Sequence, residues 1–146
     1  KAKSEKLEDL TVWKKSHQMV LIIYKITKSY PIEERFSLVS QMRKAAISIP
    51  SNIAEGFKKS GTKDKINSYN IAHGSLEELR YYIILSKDLE YLQNNKNIFY
   101  VIEEIVKMLH ALILSVESRK TIDETREYIY WMLGKKEGKL ESGKIF

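Results

Sequence analysis

The chain has 146 residues, 43% of them hydrophobic and 30% charged, with a formal net charge of +6. That length fits one domain with a proper core, and the apolar share is too high for a disordered chain. It contains no cysteine, which excludes a disulfide framework, a thiolate metal site and a cysteine nucleophile, and fits a reducing, cytoplasmic setting.

Only two prolines and six glycines punctuate the chain, and Gly134, Gly138 and Gly143 crowd into its end. So few breakers leave room for long helices and little for a many-stranded sheet. The apolar run nearest to a membrane span, "MVLIIY" at 19–24, is far too short to cross a bilayer. The charged start, "KAKSEK", predicts no signal peptide.

Amphipathic segments then follow in order. The first is predicted from about Leu7 to Lys28, with Leu10, Trp13, His17, Val20, Tyr24 and Thr27 at helical spacing and Met19, Ile23 and Ile26 widening the stripe. In "SYPIEE", Pro31 suits the first turn of the next helix, and Glu33 and Glu34 complement its positive end. This second helix carries Val39, Met42, Ala46, Ile49 and Ile53 and is predicted to end near Phe57, with Gly56 as its C-cap. Its apolar phase is kept across Pro50, so one helix kinked at the proline is expected, at a cost of about 3 kcal/mol. Ser48, Ser51 and Asn52 stand ready to bond carbonyls freed by the kink. Beside the apolar stripe runs a line of Gln41, Ala45, Ser48, Asn52 and Glu55, small and polar rather than charged.

The third helix is predicted to start with Thr62 as cap and Asp64 in its first turn. Its stripe is Ile66, Tyr69, Ala72 or His73, Leu76, Leu79 and Ile83, continuing to about Glu90. After "QNNKN" the fourth helix, about Asn97 to Arg119, has the cleanest pattern: Ile98, Val101, Ile102, Ile105, Leu109, Leu112, Ile113 and Val116. "TIDE" at 121–124 matches a capping box and predicts a short fifth helix. The expected fold is all-α, an up-down-up-down four-helix bundle with this extra C-terminal helix over residues 1–133. Residues 134–146, rich in glycine and lysine, are expected to form a flexible tail.

The motifs argue against catalysis. "GFKKSGTK" at 56–63 nearly spells a phosphate-binding loop, but such a loop needs a preceding strand and a Gly-Lys-Ser/Thr order, and here the order is Gly61, Thr62, Lys63. A helix end followed by a basic turn accounts for it. None of His17, His73 and His110 has a glutamate three residues before it, so the paired Glu-x-x-His of a di-metal bundle is missing, and no metal or other cofactor is expected. His17 and His73 lie on or beside apolar stripes and read as core or interface residues. Gly74 and Ser75, in mid-helix, suit the close approach of a neighbouring helix. No serine–histidine or carboxylate pair emerges from the spacing, and the chain is read as a non-enzyme.

Three stretches carry a family resemblance: "LTVWKKS" in the first helix, "YPIEERFSLVSQMRKAAISIPSNIAEG" into the second and "IAHGSLEEL" in the third. Over about residues 7–119 they resemble the four-helix-bundle proteins also called 23S rRNA intervening-sequence proteins. Matching positions are Gln41, Arg43, Ala45, Ser48, Pro50, Asn52, Glu55 and Gly56, then Gly74, Ser75 and Glu78. Lys44 stands where relatives commonly have arginine, which weakens any fork-type phosphate contact. The resemblance implies a homo-oligomer, a pentameric ring or barrel being favoured, with no established enzymatic activity. Related bundles include the accessory variability determinant of diversity-generating retroelements, a ring-forming basic protein that works with a reverse transcriptase and nucleic acid. The small-polar line on the second helix is what a seam between subunits would need.

Two functions stay open. One is a nucleic-acid adaptor, binding RNA or DNA through Arg43, Lys44, Lys58, Lys59, Lys63 and Lys65, with Lys14 and Lys15 as outliers, and a reverse transcriptase is the partner protein that the resemblance implies. Without aromatic interleaving such binding would follow the backbone rather than the bases. Arg43 has an alternative as an internal ion-pair partner of Glu55 or Glu78. The other function is a structural or protein-interaction module whose lysines only solubilise it.

Overall fold

The computed structural model describes residues 6–7, 10–93 and 96–136. Within them the chain forms α1 (Thr11–Thr27), a 3-10 turn (Ile32–Glu34), α2 (Leu38–Lys58), α3 (Thr62–Asp88) and α4 (Lys96–Lys136), with no strand. Each helix packs on the next, and α1 closes against α4.

Cross-helix pairs set the directions. Arg43 near the start of α2 reaches Thr27 at the end of α1, and Met42 meets Ser86 near the end of α3. Gly56 at the end of α2 abuts Tyr69 near the start of α3. Arg80, late in α3, pairs with Glu103, early in α4, at 2.6 Å, while Lys15 in α1 reaches Glu104 at 3.2 Å. Neighbouring helices therefore run antiparallel, up-down-up-down.

The core is one apolar cluster in which Met19, Ile23, Met42, Ile49, Ile53, Leu76, Leu79, Ile83, Ile102, Ile105 and Leu109 are fully buried. At roughly 1.5–3 kcal/mol for each large side chain taken out of water, this cluster dominates stability. The stripes of α2, α3 and α4 lie where their spacing predicts. On α1 the buried line is Val12, Ser16, Met19, Ile23 and Thr27: Met19, Ile23 and Thr27 lie on the predicted stripe, while Val12 and Ser16 take the core places expected of Trp13 and His17, one position away. Two hydroxyls are accommodated in this buried line, one of them, Ser16, at an offset position. Ser16 Oγ and Thr27 Oγ1 each donate to a carbonyl four residues back, at 2.7 Å, so both tolerate the core. Trp13 and His17 instead stack on each other at the margin, ring centroids 5.4 Å apart, with His17 exposed.

The helix boundaries also differ from the pattern-based ones. Pro31 precedes the separate 3-10 turn rather than opening α2, which begins only at Leu38. Ser37, in the N-cap position of α2, spends its hydroxyl on the Glu34 carboxylate at 2.7 Å. α2 is continuous through Pro50 and runs two residues past Gly56 to Lys58, so Gly56 is no C-cap. A Cβ on Gly56 would collide with the Tyr69 ring, and this close approach is what the glycine serves. Thr62 is the first residue of α3 and makes no cap bond; Gly61 occupies the N-cap position.

α3 ends in a Schellman pattern. Tyr91 N–H donates to Ser86 O at 2.9 Å and Glu90 N–H to Lys87 O at 3.0 Å. Glu90 sits at φ 66°, the left-handed conformation that a glycine usually fills.

The predicted fifth helix does not exist as a separate element. α4 continues unbroken for 41 residues, through Thr121 and on to Lys136. The Thr121 hydroxyl donates to Glu117 O at 3.2 Å, a mid-helix bond rather than a cap. Gly134 is helical as well, and the expected tail from 137 onward lies outside the described residues. Every residue from Glu117 to Tyr130 is exposed, so α4 overhangs the bundle. No helix among the described residues is long and apolar enough to cross a membrane.

Candidate nucleic-acid interface

The turn from α2 to α3 carries four of the six candidate cations. α2 ends because Lys59 turns extended, at φ −65° and ψ 144°, while its N–H still donates to Glu55 O. The next two carbonyls of the helix end are taken by one side chain. Lys65 Nζ, from the first turn of α3, donates to Gly56 O at 3.0 Å and to Phe57 O at 2.9 Å. A cation on the carbonyl end of a helix satisfies both orphan acceptors and the dipole. Lys65 is thus a half-buried plug that ties α3 to α2. Lys58, Lys59 and Lys63 are exposed and make no ion pair among the described residues.

Arg43 and Lys44 lie elsewhere. Some 15 residues of α2 separate them from Lys58, about 22 Å along the helix. One chain therefore presents two basic regions, not one. Arg43 forms no ion pair with Glu55 or Glu78. Its Nε donates to Thr27 Oγ1 at 3.0 Å, its Nη2 to Tyr24 O at 3.4 Å, and its guanidinium carbon stands 4.4 Å over the Tyr24 ring. These contacts complete the C-terminus of α1, where Lys28 N–H, Ser29 Oγ and Tyr30 N–H take the carbonyls of Lys25, Ile26 and Thr27. Of the outlying lysines, Lys15 is paired with Glu104 and Lys14 is exposed.

The small-polar line is largely turned inward. Ser75 Oγ donates to Ser48 Oγ at 2.7 Å across the α2–α3 contact, and Asn52 Nδ2 donates to Ser48 O at 2.8 Å. Ala45 is buried, whereas Gln41, Lys44, Glu55 and Glu78 stay exposed. A shallow groove of about 250 Å³ lies along this line, with Gln41, Lys44, Ser75 and Glu78 among its walls. Glu78 accepts a 2.7 Å bond from the Tyr82 hydroxyl, which pushes the Tyr82 pKa up to about 12. Gly74 is exposed, and a Cβ there would meet open space, so no helix of this chain approaches it closely.

Among the described residues no three His, Cys, Asp or Glu side chains gather as a metal site would require. His73 is half-buried and His110 exposed.

One grouping escaped the sequence pattern. Lys28, Arg35 and Arg43 converge on a cavity of about 310 Å³ at the α1–α2 corner. Their seven- and eight-residue steps are a signal only once the 3-10 turn is known to fold the corner.

Residues 8–111 match the family described as 23S rRNA-intervening sequence protein. Among solved structures, the chain is similar to a crystal structure of a protein with unknown function from the S23 ribosomal protein family of Bacteroides thetaiotaomicron. The two share 28% identity with a TM-score of 0.65, over 70% of this chain and 94% of the other. No curated protein matches the chain.

Proposed function

Since the chain belongs to the 23S rRNA-intervening sequence protein family, we propose that it is a non-enzymatic helical-bundle scaffold that assembles with copies of itself and holds RNA or DNA by its phosphates. The supporting observation is the α2–α3 turn, where Lys58, Lys59 and Lys63 are exposed without acidic partners on a rigid, Lys65-tied corner. Cations held this way bind the backbone by counterion release and read no sequence. A pentameric ring, favoured by the family resemblance, would repeat the turn around its rim and strengthen weak contacts by multivalency. The exposed rim of Gln41, Lys44, Glu55 and Glu78, together with the open flank at Gly74, is the surface this reading assigns to a neighbouring subunit. A reverse transcriptase is the class of partner protein that the same resemblance brings.

The test is filter binding of single-stranded RNA and DNA across a salt series, with the K58Q/K59Q/K63Q variant beside wild type. Lys65 is left in place because it holds the helix end. The wild type is expected to retain both nucleic acids at low salt, and the variant to lose that retention with its oligomer intact.

A second reading, a protein-interaction module without nucleic-acid binding, is favoured by the α4 overhang. It exposes Ile122, Ile129 and Leu133 and carries acidic Glu117, Asp123, Glu124 and Glu127. No retention of either nucleic acid by the wild type at low salt decides for this reading.

A further inference from the structure

The corner between α1 and α2 concentrates positive charge around a half-open cavity. Three cations line the cavity of about 310 Å³ and no acidic residue does. The acids nearest in sequence are otherwise placed: Glu34 is held by the Ser37 and Tyr91 hydroxyls at 2.7 and 2.8 Å, and Glu33 is exposed outside the lining. Lys28 and Arg35 have no ion pair among the described residues. Arg43 is held rigid by Thr27, Tyr24 O and the Tyr24 ring, which leaves its Nη1 uncommitted. Like charges gathered without a counter-charge raise the local potential and favour an anion. A guanidinium fork matches a phosphate in shape as well as charge.

Size and surroundings narrow the ligand. The cavity sits at the lower end of the roughly 300–1,000 Å³ of small-molecule sites, enough for a phosphate and the sugar edge beside it. Next along the chain from Arg35, Phe36 is 88% exposed, and Ile32 within the same corner is 70% exposed. Phe36 is not part of the cavity wall, but it follows the lining residue Arg35 directly in the chain, and a bare aromatic ring one residue from a cationic cavity offers the pairing that single-strand binders use, phosphate held by charge and base on a ring.

We propose that the α1–α2 corner binds one nucleotide unit of a single strand, its phosphate in the cavity between Lys28, Arg35 and Arg43 and its base against Phe36. This deepens the nucleic-acid reading above, but it uses different residues, at the opposite end of α2 from Lys58.

The experiment titrates the full chain with AMP, adenosine and a labelled single-stranded oligonucleotide. The variants are R35Q and F36A for the corner and, to score the α2–α3 turn separately, K58Q/K59Q/K63Q. Arg35 and Phe36 are exposed and carry no packing, so unchanged thermal melts are expected for both. Expected is about tenfold weaker oligonucleotide binding in R35Q and again in F36A, with adenosine not bound. AMP binding that R35Q abolishes would identify a free nucleotide as the source, and oligonucleotide binding alone the backbone of a strand. Wild-type binding that survives both R35Q and F36A unchanged overturns the corner site while leaving the nucleic-acid reading in force. Binding lost in R35Q and F36A but kept in the triple lysine variant supports the corner and removes the α2–α3 turn. No binding of AMP or oligonucleotide by the wild type overturns both.

Discussion

Gly56 and Tyr69 are in close apposition at the α2–α3 turn: a Cβ on Gly56 would clash with the edge of the Tyr69 ring, which is only 2% exposed. Gly56→Ala is therefore expected to destabilise the fold by about 1–3 kcal/mol, the usual range for overpacking, despite the better helix propensity of alanine. Chemical denaturation measures it. A neutral or stabilising effect would show that the ring yields and that the glycine answers to something else.

Lys65 and its three neighbouring lysines should separate cleanly in such an assay. Lys65→Gln leaves the carbonyls of Gly56 and Phe57 without their charged donor, and a loss of about 1.5–3 kcal/mol is expected for bonds of this kind. Lys58→Gln, Lys59→Gln and Lys63→Gln, all exposed, should each stay within about 0.5 kcal/mol. Equal effects at the four positions would refute the assignment of Lys65 as a structural plug.

Tyr30 is 7% exposed, and its hydroxyl has no hydrogen-bond partner among the described residues. Burial pushes its pKa up; the nearby Ser86 hydroxyl draws it down, but Ser86 gives its own proton to Tyr82 O at 2.7 Å and makes no hydrogen bond of good geometry with Tyr30. Since an unsatisfied buried hydroxyl costs about 1–3 kcal/mol, Tyr30→Phe is expected to stabilise the protein or leave it unchanged. The ring contact with Tyr91, at 5.3 Å between centroids, survives that substitution. Clear destabilisation in thermal melts would mean the hydroxyl has a partner after all.

Acid should weaken the corner that Glu34 organises. Its carboxylate accepts from Ser37 and Tyr91, and the Ser37 bond first, then the Tyr91 bond, lower its pKa below the ordinary 4.5. A folded-state pKa below the unfolded one contributes stability that is complete above pH 4.5 and fades as pH falls through the folded value. Glu34→Gln should therefore flatten the acid limb of the stability–pH curve and leave the slope near neutral pH alone. Denaturation midpoints across the acid range check this, and an unchanged acid limb in the variant would contradict it.

What the sequence made legible was the part governed by periodicity. On α2, α3 and α4 the apolar residues are regularly spaced, so the core faces and even the continuity through Pro50 could be read directly. α1 misled in its first turns, where Val12 and Ser16 rather than Trp13 and His17 face the core, because the Ser16 hydroxyl disappears into its own helix carbonyl. The capping box at Thr121 misled for the opposite reason. Cap residues signal an end only where the chain has cause to stop, and α4 had none. The candidate site was legible as a list of cations but not as a place. Nothing in the spacing of Lys58, Lys59, Lys63 and Lys65 says that one of them turns back onto a helix end while three do not. Nor could it say that Arg43 belongs with Lys28 and Arg35, since that depends on a 3-10 turn where a helix start was expected.

The overhang of α4 changes how the molecule moves through solvent. Its 41 residues make a rod of about 60 Å, against about 40 Å for the 27 residues of α3. A particle with such a spar drags more water than a sphere of equal mass, so it will leave a sizing column early and sediment slowly. Read against globular standards, one copy would pass for something larger, and an assembled ring would be overcounted. Subunit number should therefore come from light scattering or sedimentation equilibrium, in which shape cancels, rather than from elution volume.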